Sequence, residues 1–409
     1  MIHSSYYRPR IFPIKGDTAD AEIDRAQAID PTISLNREKV EEIGRDGIVG
    51  YLKKSPTIGY RLTQLEYGNV EFWQKLVNSS TLGANGETGI TLSDFKTPYF
   101  DVCAYLTDDD GTFRGTALYP GLRCSGFSLT IGDPQDMIER SFDFVGENAK
   151  ILKDDNKYYI YGRHEAGSGG DDEIDLSAKA PVENPENAGT YMFRVVRVRA
   201  GVTTELTRTT DYSYDDGTKV LTITSIQASD VIKYWYSSGT APDTQFTLND
   251  SDVAGIVGDS VSIYLYIPGS GSPSSSDYIY RLQNVTLDVR FDREDIREIG
   301  NREIVARGVR NNTVTVTLGR ILEQFTIEDV LRGSDLGVID VQNLSDEVAL
   351  IIKIYDENTK SSFKYGFKAT GLTPTELRGG ASINEYVRQD NTLEGEDLTI
   401  SADTSVIGI

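Results

Sequence analysis

The sequence predicts a mainly β protein. Two copies of one β-sandwich or barrel domain, each with a short α-helix, flank a smaller inserted β-sandwich. Three observations predict this. With 23 Tyr, 14 Phe and 38 Gly against only 3 Met and 2 Trp, the composition is shifted toward strands and turns. Many short segments alternate apolar and polar residues with period two. A distinctive phrase also occurs twice, LNREKVEEIGRDGIV at 35–49 and FDREDIREIGNREIV at 291–305, 256 positions apart.

The repeat is searched for first, because a duplication missed at this stage misreads the whole fold. Laid over 279–318 without a gap, residues 23–62 match at 12 of 40 positions, among them Ile23/Ile279, Arg37/Arg293, Glu38/Glu294, Gly44/Gly300, Thr57/Thr313 and Leu62/Leu318. Unrelated sequences of average usage match at roughly one position in fifteen to twenty. The likeness continues with small gaps. NVEFWQKLVN (69–78) answers FTIEDVLRG (325–333) as a short helix, the stretch at 100–122 answers 349–372, and FVGEN (144–148) answers LEGED (393–397). VSIYLYI (261–267) should correspond to RPRIFPI near the N-terminus, which leaves GSGSPSSS (269–276) as a loop. The domains therefore read as 1–155, an insert at 156–257, and 258–409.

Within each copy the elements follow in order. In VTLDVRFD (285–292), Leu287, Val289 and Phe291 alternate with Asp288, Arg290 and Asp292, a strand with one buried and one wet face. Ile33 and Leu35 alternate with Thr32, Ser34 and Asn36 in the first copy. Gly44 and Gly300 then suit turns, and long polar loops are predicted over 44–56 and 300–312. The chain returns as a second alternating strand. Val314, Val316 and Leu318 point inward and Thr313, Thr315 and Thr317 outward, matched by Ile58, Tyr60 and Leu62 against Gly59, Arg61 and Thr63. Each sheet has exposed edges, which invite pairing with another chain; closing a ring is one way to remove them, and covering by loops of the same domain is the other. The insert opens polar at 162–189. It then reads as strands in TYMFRVVRVRAG, TTDYSYDDGTKVLTITS and DVIKYWYSS, with a DDG turn.

Charge narrows the function. At −22, the chain lacks the basic footprint that ordinary duplex binding requires. It has no apolar run of membrane-spanning length and no signal-peptide pattern at its start, so it reads as cytosolic when made. Cys103 and Cys124 read as buried free thiols, and neither His3 nor His164 has a partner motif. No nucleotide, zinc-protease or hydrolase motif is present, so no enzyme activity, cofactor or metal is expected. DDDG (108–111) and DDG (215–217) offer clustered oxygens to Ca²⁺, but hairpin turns explain both.

The order strand, R-E-x-[VI]-x-E-[IL]-G, long loop, Thr-rich strand, helix is carried by residues 33–62 and 289–318 and more loosely by both whole flanking domains. It resembles the tail tube proteins of long-tailed phages and the tube subunits of contractile injection and type VI secretion machines. Such proteins form hexameric rings in which each subunit adds four strands to an inner barrel. A fused double subunit forms a trimer with pseudo-sixfold symmetry. The resemblance implies a structural virion protein, made in the host cytoplasm, that stacks trimeric rings into the tail tube and passes genome DNA without binding it specifically. Its partners would be itself, the tape measure, the terminator and the distal tail protein, with no membrane. It further implies that Thr32, Ser34, Asn36, Gly59, Arg61, Thr63, Asp288, Arg290, Asp292, Thr313, Thr315 and Thr317 line the lumen; Arg61 and Arg290 depart from an acidic lining, and either pair with neighbouring carboxylates or belong to another face. Ring stacking would fall to Arg45, Asp46, Lys53, Lys54, Asn301, Arg302, Arg307 and Arg310. The alternatives are another tail ring component (terminator, distal tail or hub), or a carbohydrate-binding or carbohydrate-degrading β-protein suggested by the aromatic content.

Overall fold

The computed structural model describes residues 6–13, 21–23, 26–41, 48–54, 56–68, 70–77, 89–107, 113–146, 148–152, 158–167, 169–184, 188–239, 255–268, 277–279, 281–296, 306–321, 347–356, 359–380 and 387–408. The first part of the chain forms β1 (Tyr6–Pro13), β2 (Ala21–Glu22), β3 (Ala26–Ser34), β4 (Arg37–Glu41), β5 (Ile48–Lys53), β6 (Thr57–Leu65), α1 (Glu71–Val77), β7 (Ile90–Thr91), β8 (Phe100–Thr107), β9 (Phe113–Ile131), β10 (Glu139–Gly146) and β11 (Lys150–Leu152). The middle part forms β12 (Tyr158–Glu165), β13 (Gly170–Asp175), β14 (Pro181–Val182), β15 (Met192–Arg199), β16 (Val202–Glu205), β17 (Tyr212–Asp215), β18 (Val220–Ile226) and β19 (Val231–Ser238). The last part forms β20 (Val261–Tyr266), β21 (Leu282–Ile296), β22 (Ala306–Ile321), β23 (Val348–Tyr355), β24 (Phe363–Gly380), β25 (Arg388–Gly395), β26 (Asp397–Ser401) and α2 (Thr404–Ile407). The protein is mainly β, as its alternating pattern predicts.

Two long strands organise everything else. β9 and β24 each start in an outer sheet and finish in a shared inner sheet. The first half of β9 pairs with β8 and β11, and the second half pairs with β10. Likewise β24 pairs first with β23 and β26 and then with β25. The switch falls at Gly121 (φ 66°) and Gly371 (φ 64°), a left-handed backbone that glycine adopts without steric cost. The inner sheet is antiparallel throughout and runs β3-β6-β10-β9-β21-β22-β25-β24. Its buried face and the two outer sheets enclose one continuous apolar core, in which Trp73 of α1 meets Phe95, Phe127, Phe142 and Phe367 at ring distances of 5.0–6.4 Å.

The duplication seen in the sequence reappears in the pairing registers. Leu62 faces Phe142, and its counterpart Leu318 faces Asn391; Phe127 faces Phe142, and Leu377 faces Asn391. Both copies carry a bulge at the same place, between Asp143 and Phe144 opposite β9 and between Pro374 and Glu376 in β24. β1 and β20 are equivalent, since Ile11 pairs Val102 and Leu265 pairs Leu350. The first predicted helix forms as α1; its counterpart at 325–333, and the loop at 269–276, lie outside the described residues.

Two expectations change. The polar stretches at 44–56 and 300–312 are not simple loops. β5 pairs with β4 as a separate two-stranded ribbon, and residues 306–312 belong to β22, opposite the end of β21. Exposed Ile48 and Leu52 lie on one face of β5 and exposed Val49 and Tyr51 on the other, so the ribbon carries no apolar alternation to mark its strands. In addition, Asn36 is no strand-face position. Its φ of 43° ends β3 and turns the chain into the ribbon.

The middle part packs a five-stranded sheet (β12-β19-β15-β16, with β14 beside β19) on a three-stranded one (β13-β18-β17) around Ile160, Val195, Leu221, Ile223 and Ile232. The DDG turn joins β17 to β18, where the Gly217 amide donates to Asp215 Oδ1 at 2.8 Å and Lys219 pairs with Asp216. Strands β13 and β14, with the end of β12, fall where the sequence reads as polar and Gly-rich. In GDDEID the one fully buried side chain is Ile174, so the alternation is hidden among carboxylates.

Candidate assembly interface and polar face

The inner sheet presents two features: a wet face, and two strand edges, of β3 and of the second half of β24, that have no partner among the described residues. The face arises from strict alternation. Val285, Leu287, Val289 and Phe291 of β21 are buried, whereas Asp288 is half-buried and Arg290 and Asp292 are exposed. In β22, Val314, Val316 and Leu318 are buried and Thr313, Thr315 and Thr317 point the other way; in β6, Ile58, Tyr60 and Leu62 oppose Gly59, Arg61 and Thr63. Thr32 and Ser34 lie exposed on β3. Registers bring these positions together as Thr32↔Gly59, Asp288↔Thr315 and Arg290↔Thr313.

Sequence reasoning missed the contribution of β10, β25 and β24 to this face. Asp143 stands opposite Arg61, Glu394 opposite Thr315, and Arg378 opposite Asp390. Three of its arginines, Arg61, Arg290 and Arg378, have a carboxylate beside them, while Arg388 of β25 is exposed on the same face. Arg290 Nε lies 2.9 Å from Asp288 Oδ2, Arg378 Nε lies 2.6 Å from Glu376 Oε1, and Arg61 Nε lies 3.9 Å from Asp143 Oδ1. Those three guanidiniums are therefore electrically answered on the surface itself, and most of the remaining face is hydroxyls, glycine and further carboxylates.

Of the residues expected in stacking loops, Arg45, Asp46, Asn301 and Arg302 lie outside the described residues. Lys53 ends β5. Lys54 bridges to Glu38 at 2.5 Å, and its hydrogen bond holds the Glu38 carboxyl below the usual range. Arg307 and Arg310 are in β22, Arg310 exposed.

The two halves meet along β9 and β21, where Val285↔Ile131, Asp288↔Ser128 and Arg290↔Gly126 are opposite. The halves are held together by apolar burial and by polar contacts, among them one fully buried cluster. The Glu66 carboxylate receives Arg140 Nη1 at 3.1 Å and the Tyr365 hydroxyl, and Trp73 Nε1 lies 3.4 Å from that hydroxyl. All three titratable side chains of the cluster are inaccessible. Burial opposes the charge on Arg140, but the Glu66 carboxylate beside it raises its pKa above the ordinary value; burial and then Glu66 push the Tyr365 hydroxyl well up.

Now compare the seam with the free edges. β3 is the counterpart of β21, and the second half of β24 is the counterpart of the second half of β9. Val289 is 0% exposed, but its counterpart Ile33 is 47% exposed; Phe291 is 4% exposed, but Leu35 is 54%. In the outer sheets, Ile400 of β26 is 1% exposed because β7 pairs there, and its counterpart Ile151 of β11 is 55% exposed. The same apolar positions are covered at the internal seam and bare at the outer edges.

The middle module sits behind this arrangement. Cys103, Tyr105 and Leu118 point away from the main core and pack with Tyr159, Tyr161 and Trp235. The Tyr105 hydroxyl donates to Tyr159 O at 2.9 Å, and Arg194 pairs with inaccessible Asp101 at 2.9 Å. Both cysteines are buried free thiols, and burial pushes Cys124 up to about 12. The module thus attaches to the outer sheet, on the side away from the wet face.

These features define a mainly β, internally duplicated protein whose eight-stranded sheet ends, among the described residues, in one open strand edge on each side. Searched against protein-family models and curated proteins, the sequence matches none.

Proposed function

We propose that the chain is a self-assembling ring subunit of the tail-tube kind: a structural protein whose copies close an inner barrel that conducts double-stranded DNA. The observation that carries this reading is the correspondence between the internal seam and the two free edges. Shifted by one repeat, the β21·β9 register pairs β3 of one copy with β24 of the next, matching Thr32 to Arg378 and Ile33 to Leu377. Repeating the operation with three copies places six equivalent four-strand units around one axis and leaves no open edge.

The wet face would then be the lumen. Its carboxylates repel phosphate, and Arg61, Arg290 and Arg378 are already paired, so few cations, Arg388 among them, remain to exchange with the counterions of passing DNA. The net charge of −22 points the same way. The module on the outer sheet would stand outside the tube. The β4·β5 ribbon and the end of the β21·β22 hairpin would reach an adjoining ring. Such a tube would be a virion component ending on a terminator and a distal tail protein and enclosing a tape measure.

The test is mass by light scattering, with the same sample imaged by negative-stain microscopy. Trimers, or stacked rings with threefold symmetry, are expected. Single rings that never stack would favour a terminator, distal-tail or hub role. A chain that stays monomeric at high concentration and with a tail initiator complex supplied would overturn the proposal.

A further inference from the structure

Arg293 explains one of the two arginines in the repeated phrase. It stands at the slip in the β21·β22 ladder, where Arg310 of β22 is the extra residue, beside the internal seam. Its guanidinium donates to three main-chain carbonyls of the first repeat: Nε to Cys124 O at 2.6 Å, Nη2 to Phe95 O at 2.8 Å and Nη1 to Lys96 O at 3.3 Å. Neighbouring Phe291 stacks on Phe95 with rings 5.6 Å apart. A planar fork of five N–H donors can serve several carbonyls at once, which a lysine ammonium on a flexible stem does less well. Cys124 O is accessible to it because the β9·β10 ladder slips beside that residue.

The other arginine is Arg37. By the register of the repeats it corresponds to Arg293, Leu35 corresponds to Phe291, and Pro374 corresponds to Cys124. Arg37 is exposed, one residue past the left-handed Asn36. Pro374 borders the same kind of ladder slip as Cys124, and as a proline it offers only a carbonyl. We propose that Arg37 is an intermolecular clamp: when β3 of one copy pairs with β24 of a second copy, its guanidinium donates to the Pro374 carbonyl of that copy, as Arg293 does to Cys124 within the chain. The partner is a second copy of this chain, so the inference rests on the ring reading and adds the residue that locks each joint. It also accounts for an Arg at the same place in two repeats whose surrounding ribbons differ.

The test compares full-length parent, Arg37→Ala, Arg37→Lys and Ile33→Ala by light scattering across concentration, with urea unfolding of the unassembled chain alongside. A charge-assisted hydrogen bond lost from each joint raises the concentration for half-assembly by about tenfold or more. Arg37→Ala should show that rise with an unchanged urea midpoint, and Arg37→Lys should recover only part of it. If Ile33→Ala weakens assembly while Arg37→Ala assembles at the parent's concentration, the strand joint stands and the clamp is overturned. If the parent itself never assembles, the ring reading fails and the clamp with it. A lowered urea midpoint for Arg37→Ala would likewise overturn it, by assigning the residue to the fold of the single chain.

Discussion

Ile33 and Val289 occupy the same position of the repeat in opposite environments, so one substitution made at both separates folding from assembly. Val289 is fully buried against the first repeat, and Val289→Ala removes two carbons there. At about 0.8 kcal/mol per buried methylene plus a cavity contribution, the chain should lose about 2–3 kcal/mol of stability. Ile33 is already 47% exposed. Ile33→Ala removes three carbons, of which roughly half the apolar contact exists in the single chain, so its stability should fall by only about 1 kcal/mol. The other half, again about 1 kcal/mol, is lost at each intermolecular joint and weakens it roughly fivefold to tenfold. Three joints per ring compound this to on the order of a few hundredfold in the ring equilibrium. Urea unfolding of dilute protein reads the first effect, and light scattering across concentration reads the second. Equal losses of single-chain stability at the two sites, or normal assembly of Ile33→Ala, would refute the correspondence between seam and edge.

Three further outcomes are expected. Glu66→Gln leaves the Arg140 guanidinium uncompensated at the seam and should cost about 3–5 kcal/mol in urea unfolding, and adding Arg140→Met should restore much of it. In the middle module, the Arg199 hydrogen bond holds the Asp230 carboxyl below its ordinary range, and Arg199 sits at 2.6 Å. A depressed folded pKa means that this stabilisation is present above the unfolded value near 4 and is lost as pH falls through the folded value. Asp230→Asn should therefore cost about 1–2 kcal/mol at neutral pH, with Arg199 partly exposed, and should flatten the acid limb of a thermal-unfolding profile. Finally, Asp143→Asn, Asp288→Asn and Glu376→Gln together strip the carboxylates from Arg61, Arg290 and Arg378. The combined variant should retain duplex DNA on filters at low salt and release it as salt rises, where the parent retains none.

The strands with a clean two-residue period were legible from sequence. Leu287, Val289, Val314 and Val316 assign their own faces because burial on one side leaves no other register. The duplication was legible too, since its ungapped part keeps the register of β3 with β6 and of β21 with β22, whose inward faces the core holds. What stayed hidden had physical reasons. The ribbon of β4 and β5 is exposed on both sides, so it lacks the apolar alternation by which strands are recognised. Asn36 shares the period of β3 but leaves it through a left-handed backbone that composition does not announce. The polar face was half read: the strands of the quoted phrases were assigned, but β10, β24 and β25 join it only because β9 and β24 bend at Gly121 and Gly371. The unmatched edges are a property of three-dimensional pairing, visible only once Ile33 and Val289 can be compared.

A designed cross-link tests the central claim most directly. Thr32 and Arg378 correspond to Asp288 and Ser128, which lie opposite one another across the internal seam. Paired positions on antiparallel strands are about 4.5–5.5 Å apart at Cα, within disulfide reach. Full-length protein carrying Thr32→Cys and Arg378→Cys should, on mild oxidation, form a covalent ladder that stops at three copies, whereas either single variant should give none. Assembled protein that oxidises no further than the single variants would contradict the β3–β24 joint.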